Sequence, residues 1–389
     1  MSFWRARIVL AALAFSLAAS AHAEDAVWSL VEKTAPLAGA TDVQHTRWTF
    51  NRATRTLYDV IGVHRYRTAA TPKAALLYLP GTNMNGVAAL AHEDHNLWLF
   101  LARRGVDVYT MDYRTHAVPA AGVSDFAFMR FWTMEYFVSD IRAAAFKART
   151  ESGQPKLFVA GFSRGVSLAY ALAASEPDAV AGLIALDGSF KSYAPKNQYD
   201  PAADLQKLEA SGAWASDVSG RAGWEARAKL MAAAGSNPAQ PASDPKFKTI
   251  GEQLANVLYT AWRPGGLANA VDGLSNPQVL AKLLAGYDRY YPTVQDSEGR
   301  SIGDRADDPR TPIDDLWGEM KTPVLYFGCT GMGGDWLLNG IYSAEKSGSS
   351  DVTLNVLERY GHLDVIVGEK ARADVFEPTS AWILKRAQP

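Results

Sequence analysis

A single cysteine, Cys329, stands among 389 residues, so no intramolecular disulfide can form, even in an oxidising compartment. A packed core has to supply the stability. Positive charge is not in excess either. Lysine and arginine number 39 against 41 aspartates and glutamates, a formal net charge of −2 with no basic stripe. That balance argues against nucleic acid as a partner and against electrostatic attachment to a membrane. Beyond the first residues, no segment has the ~20 consecutive apolar residues that span a bilayer. No internal repeat occurs. What is present is ordinary: 48% hydrophobic and 21% charged, enough for one large domain or a domain with a large insertion.

The N-terminus reads as a separate unit. Arg5 and Arg7 precede an apolar run over residues 8–19, then Ala21-His22-Ala23 and the polar Glu24-Asp25. A positive region, a short apolar region and a small-x-small end predict a signal peptide over 1–23. The chain is then expected to be exported, periplasmic or secreted, with a mature start at Glu24.

Short apolar runs recur downstream at 74–79, 106–111, 157–160, 183–186, 324–327 and 352–357. They lack strict alternation, as strands buried on both faces of a parallel sheet do. Helical patterns lie between them, among them "NLWLFLARRG", "FVSDIRAAAFKARTESG" and "VSLAYALAASEP". Alternating strands and helices predict an α/β fold with a mostly parallel sheet and right-handed crossovers. The alternation breaks over residues 190–317, too long for a structureless loop. Pieces such as "DLQKLEASGAW", "WEARAKLMAAAG" and "EQLANVLYTAW" predict a mainly helical cap, while 287–312 reads as loop. The expected organisation is a first core part over 24–189, the cap over 190–317 and a second core part over 318–389.

"KLFVAGFSRGVSLAYALAAS" places a serine between two glycines where a strand turns into a helix. A serine that must expose its Oγ after a buried strand needs such a turn, and the glycines let the following helix pack close. The helix N-terminus also favours a developing anion. Ser163 is the candidate nucleophile. A hydroxyl needs a base held by a third group. Of 7 histidines, His362 follows the last expected strand and fits the chain order serine, acid, histidine. His116 is expected to line the pocket. For the acid, Asp335 after "VLYFGCTGMGG" is favoured, with Asp187 after "LIAL" as the alternative. Asp364 lies too near His362 in the chain to orient it. The oxyanion hole is expected from the backbone N–H groups of Arg164 and Thr82, Pro80 having none. Asn83 and Asn85 could add side-chain amides. "HEDH" at residues 92–95 suggests a metal site, but no third ligand stands out, and neither a metal nor a cofactor is expected.

These residues resemble the acid lipase group (gastric and lysosomal lipases) of the α/β-hydrolase fold. The likeness lies in "YGHLDVIVGEKARADVFEPTSAWI", "PVLYFGCTGMGGDWLLN", "NLWLFLARRGVDVYTMDYR" and "FWTMEYFVSDIRAA", about half of the mature chain. It implies an esterase or lipase acting on a small-molecule or lipid ester, and it supports Asp335 as the acid. Departures stand at Pro80-Gly81, where that group carries His-Gly, and at Arg164, where it carries glutamine. Arg164 could favour an anionic acyl portion or bridge to the cap. The same triad would serve an amide or peptide hydrolase, and a binding protein that keeps the fold is the remaining alternative.

Overall fold

Strands form where the apolar runs stand, and three more precede them. In the computed structural model, residues 27–52, 55–196, 199–254, 275–306 and 308–387 are described. The predicted signal segment and the end of "EQLANVLYTAW" fall outside them. In chain order the strands are β1 (Ser29–Leu37), β2 (Ala40–Asn51), β3 (Val60–Arg67), β4 (Ala74–Leu79), β5 (Val106–Asp112), β6 (Leu157–Phe162), β7 (Val180–Leu186), β8 (Ala215–Asp217), β9 (Tyr290–Pro292), β10 (Val324–Cys329) and β11 (Val352–Leu357). Nine make one sheet in the order β1-β2-β3-β5-β4-β6-β7-β10-β11, and β8 pairs with β9 apart from it. The pairs from β5 to β11 are parallel, whereas β1, β2 and β3 run antiparallel at one edge. β1 and β2 are wet on part of their surface, so a search for apolar runs passes over them.

The central strands are buried along their whole length, and the sheet separates two cores. Leu77, Leu79, Val159 and Ala185 face helices α2 (Met134–Ser152) and α3 (Arg164–Ser175). Leu76, Phe158, Ile184 and Phe327 face α1 (Leu97–Ala102) and the C-terminal helix α10 (Glu377–Arg386). Each fully buried aliphatic or aromatic side chain contributes roughly 1.5–3 kcal/mol. The sheet is therefore a stiff base for whatever stands at its strand tips. Registers align those tips: Leu79 pairs with Gly161, Phe162 with Leu186, and Leu186 with Phe327. The turns after β4, β6, β7 and β10 emerge side by side.

Between β7 and β10 the described residues contain α4 (Pro201–Ser211), α5 (Trp224–Ser236), α6 (Pro277–Ala285) and α7 (Val294–Asp304). α7 corrects the loop expected over 287–312. Its buried face carries Gln295, Ser297, Glu298 and Ser301 between Val294 and Ile302. Polar side chains on the inner face erase the apolar period that marks an amphipathic helix. They are held by hydrogen bonds: Tyr291 donates to Gln295 Oε1 at 2.7 Å, and Gln295 Nε2 donates to the Trp132 carbonyl at 2.9 Å. Helices α8 (Gly334–Glu345) and α9 (Asp364–Val367) follow β10 and β11. Among the described residues no helix is long and apolar enough to cross a membrane.

Candidate active site

Ser163 joins β6 to α3 with φ 56° and ψ −120°. Positive φ in a residue with a Cβ is strained, of order 1–3 kcal/mol, and persists only when the surroundings fix it. Here the glycines fix it. A Cβ on Gly161 would strike the Gly165 carbonyl, and one on Gly165 would strike the Leu79 carbonyl. The sharp turn pushes Ser163 up from the sheet into a cavity of about 1300 Å³. Thr82, Arg164, Asp335, Trp336 and His362 line the same cavity.

His362 stands on the turn after β11. Its ring stacks on Phe162, centroids 4.6 Å apart, and meets the Trp336 ring edge-on at 5.3 Å. Asp364 shapes the turn by accepting from the Gly361 N–H at 2.6 Å. His362 Nδ1 donates to Asp187 Oδ2 at 2.6 Å. That bond puts the proton of a neutral ring on Nδ1 and leaves Nε2 as the acceptor.

The aspartate bonded to His362 is thus Asp187, the alternative of the sequence reading, and not the favoured Asp335. Asp187 follows β7 directly, has no exposed surface and sits at φ 48°. Its Oδ1 accepts from the Cys329 N–H at 2.8 Å, and its Oδ2 also accepts from the Cys329 thiol at 3.0 Å. After β10, by contrast, the chain makes a short turn over Thr330–Met332 and enters α8. Asp335 falls in the exposed first turn of that helix, at the cavity rim. Since β7 lies between β6 and β10, its tip is under the histidine, and no reach across the sheet is needed.

Arg164 and Thr82, the expected oxyanion donors, line the same cavity as the nucleophile. Arg164 is the first residue of α3, where an N–H has no intrahelical acceptor. Thr82 lies in the loop after β4, which packs against the elbow: a Cβ on Gly81 would come 3.1 Å from Ser163 Cβ. The side-chain amides of Asn83 and Asn85 are bonded elsewhere, although Asn83 also lines the cavity. Asn83 Nδ2 donates to the Asp288 carbonyl at 3.0 Å, and Asn85 Nδ2 to the Gly286 carbonyl at 2.9 Å and Asp288 Oδ1 at 3.0 Å. His116 also differs from expectation, bonding Asp288 Oδ1 at 2.8 Å behind the loop instead of lining the cavity.

Helix α7 of the inserted segment meets the core at the elbow and at the start of α2. Arg164 Nη2 donates to Asp296 Oδ1 at 2.8 Å, so its charge bridges to the cap. Glu298 Oε2 accepts from the Met134 N–H at the start of α2, at 2.7 Å. Burial pushes the Glu298 carboxyl up to about 7, and its Oε1 has no hydrogen-bond partner among the described residues. Trp214, Tyr290 and Tyr291 are core, whereas Tyr287 reaches the cavity wall. Of the "HEDH" group, Glu93 and Asp94 pair with Arg372, and Glu93 also with Arg103. The described residues contain no group of three or more ligating side chains arranged for a metal.

Residues 71–270, just over half of the chain, match the profile of the family Hydrolase_4, described as serine aminopeptidase, S33. The chain belongs to that family. This S33-type α/β-hydrolase is similar in structure to a proposed lipase from Sulfolobus solfataricus, at 26% identity and a TM-score of 0.74, over 92% of this chain and 99% of that one. A complex of DcsB with its substrate analogue shares the fold at 15% identity and a TM-score of 0.51, over 84% and 95%. A soluble variant of monoglyceride lipase from Saccharomyces cerevisiae aligns at 13% identity and a TM-score of 0.48, over 93% and 97%. No curated protein matches the hydrolase by sequence.

Proposed function

We propose that the protein is an exported serine hydrolase of carboxylic esters that works through Ser163, His362 and Asp187. The observation that carries the reading is the 2.6 Å bond from His362 Nδ1 to the buried Asp187, beside a strained serine on the same cavity. Ser163 Oγ attacks the ester carbonyl while His362 Nε2 takes its proton. Asp187 holds the tautomer and stabilises the imidazolium. The N–H groups of Thr82 and Arg164 receive the oxyanion. His362 then protonates the departing alcohol, leaving an acyl-Ser163. Water, deprotonated by His362, releases the acid and restores the serine.

The likeness to acid lipases around His362, and the lipase-like relative, favour an ester. The cavity wall is mixed: Phe190, Leu284, Trp336 and Leu338 stand on it beside Ser192 and Lys196, so it offers an acyl chain apolar surface and a polar group partners. An amide or peptide substrate is the second reading, and the family's description as an aminopeptidase is what favours it.

A fluorophosphonate should label Ser163 of the purified protein, and a panel of p-nitrophenyl esters against aminoacyl p-nitroanilides should give turnover on the esters. Ser163→Ala should abolish labelling and cut kcat by about a thousandfold or more, because nucleophile and base act as a unit. An unlabelled wild type, or an alanine variant with wild-type turnover, would remove Ser163 from the mechanism.

A further inference from the structure

The elbow fixes Ser163 and Arg164, but the Thr82 N–H depends on loop 80–86. That loop hangs between two buried carboxylates. On one side, the Asp288 N–H donates to the Asn83 carbonyl at 2.7 Å, and Asn83 returns a side-chain bond to the Asp288 carbonyl at 3.0 Å. Asn83 is held at φ 62°. Asn85 reaches Asp288 Oδ1 at 3.0 Å. On the other side, the Gly86 N–H donates to Asp112 Oδ1 at 2.9 Å, and the Gly86 carbonyl accepts from Thr110 at 2.6 Å and Tyr66 at 2.9 Å. His116 stands between the carboxylates, with Nδ1 at 2.8 Å from Asp288 Oδ1 and Nε2 at 3.8 Å from Asp112 Oδ2.

We propose that Asp288 and His116, with Asp112 behind them, are positioning residues that hold loop 80–86 so that the Thr82 N–H meets the oxyanion formed on attack by Ser163. The assignment rests on the hydrolase reading above. Asp288 belongs to the segment inserted between β7 and β10, so the insertion itself completes the anion cradle. Asp288 Oδ2 is buried and has no hydrogen-bond partner among the described residues, which makes the His116 bond the main counterweight to its charge.

The groups around this pair make it sensitive to pH. His64 and Arg47 hold Asp112 from β3 and β2, at 2.9 and 3.2 Å. His45 donates to or accepts from His64 at 2.9 Å and meets Glu32 of β1 at 3.2 Å. Burial works against the His116 charge, yet the bond to Asp288 and the field of Asp112 raise its pKa. Burial would raise Asp112, but the field and hydrogen bond of His64 hold it well below the usual range. A raised histidine contributes fully below its ordinary pKa and loses that contribution as pH rises through the raised value. Above it, Asp288 faces Asp112 with no cation between them.

The test compares Asp288→Asn and His116→Gln with the whole wild-type chain. Both variants keep the backbone bonds to Asn83. Each should lower kcat by about tenfold, less than the 10²–10³ of a deleted oxyanion donor, with KM within about twofold. Affinity for a trifluoromethyl ketone, whose adduct places an oxyanion in the hole, should fall by the same factor. This readout counts only folded protein, so a stability loss alone does not mimic it. The kcat ratio of wild type to His116→Gln should shrink as pH rises, a comparison in which ionisations common to both proteins cancel. Variants with wild-type kcat and ketone affinity, or with a change in KM alone, would overturn the positioning role while the hydrolase reading stood. A wild type that neither turned over ester nor bound the ketone would overturn that reading and this one together.

Discussion

β7 and β10 are neighbours in the sheet, and each is followed by a turn that carries an aspartate near the same cavity. The first turn is short and buried. Asp187 takes a positive φ, has no exposed surface, and gives both carboxylate oxygens to donors. The second is longer and open. It bends at Gly333, φ 96°, and leaves Asp335 exposed at the start of α8. A carboxylate that must hold an imidazole in one tautomer has to be immobile itself. Burial among donors achieves that after β7, and a helix end in water does not achieve it after β10. The strain at Asp187 repeats the strain at Ser163, and both residues are held by the strand tips beneath them.

The sharpest way to break this comparison is Asp187→Asn. An amide group facing His362 Nδ1 would turn that nitrogen into the acceptor and put the proton on Nε2. The ring could then not take the Ser163 proton. We expect kcat on a p-nitrophenyl ester to fall by about 10³–10⁴ with the fold retained. A loss of less than about tenfold in folded protein would end the assignment of Asp187.

Much of this site was legible from residue types and spacing. Gly-Phe-Ser-Arg-Gly after an apolar run placed Ser163 at a strand-to-helix turn, because the turn requires the glycines locally. His362 could be placed because one histidine followed the last strand. The acid could not be chosen so simply. Both aspartates follow strands, and likeness of the Gly-Gly-x-Asp loop favoured Asp335, whereas the bond to His362 is made by Asp187. The deciding facts, the Cys329 N–H and the depth of the β7 tip, are contacts between strands far apart in the chain. α7 was missed for a related reason: its inner face is polar and satisfied by residues such as Trp132 and Met134, about 160 positions away. The His116–Asp288 pair is equally non-local, and neither residue sits in a recognisable motif.

A smaller effect is expected where the two turns touch. The Cys329 thiol donates to Asp187 Oδ2, the oxygen that also receives His362 Nδ1–H. A thiol is a weak donor, and the backbone N–H of residue 329 survives substitution. Cys329→Ala should therefore lower kcat by several-fold, less than the about tenfold that a full hydrogen bond of ~1.4 kcal/mol would give. Cys329→Ser, which restores a donor, should recover most of that loss. Equal kcat values for wild type and Cys329→Ala would reduce the thiol to a packing group.

Asp335→Asn should do least. The carboxylate lies in the first turn of α8, where a negative charge stabilises a helix by about 0.3–1 kcal/mol, screened by water. Even the whole of that, felt at the active site, would change kcat by only about fivefold, and we expect less. Asp335 does line the cavity, so its charge can act on a substrate rather than on His362. An aminoacyl substrate carries an ammonium group that a rim carboxylate would attract, whereas a neutral ester does not. Steady-state kinetics of Asp335→Asn on both substrate classes separate the possibilities. Unchanged constants on esters are the expected result. A rise in KM confined to aminoacyl anilides would strengthen the peptide reading and give Asp335 a substrate-binding role. A thousandfold fall in kcat on every substrate would return the acid to the turn after β10, against the 2.6 Å bond that joins His362 to Asp187.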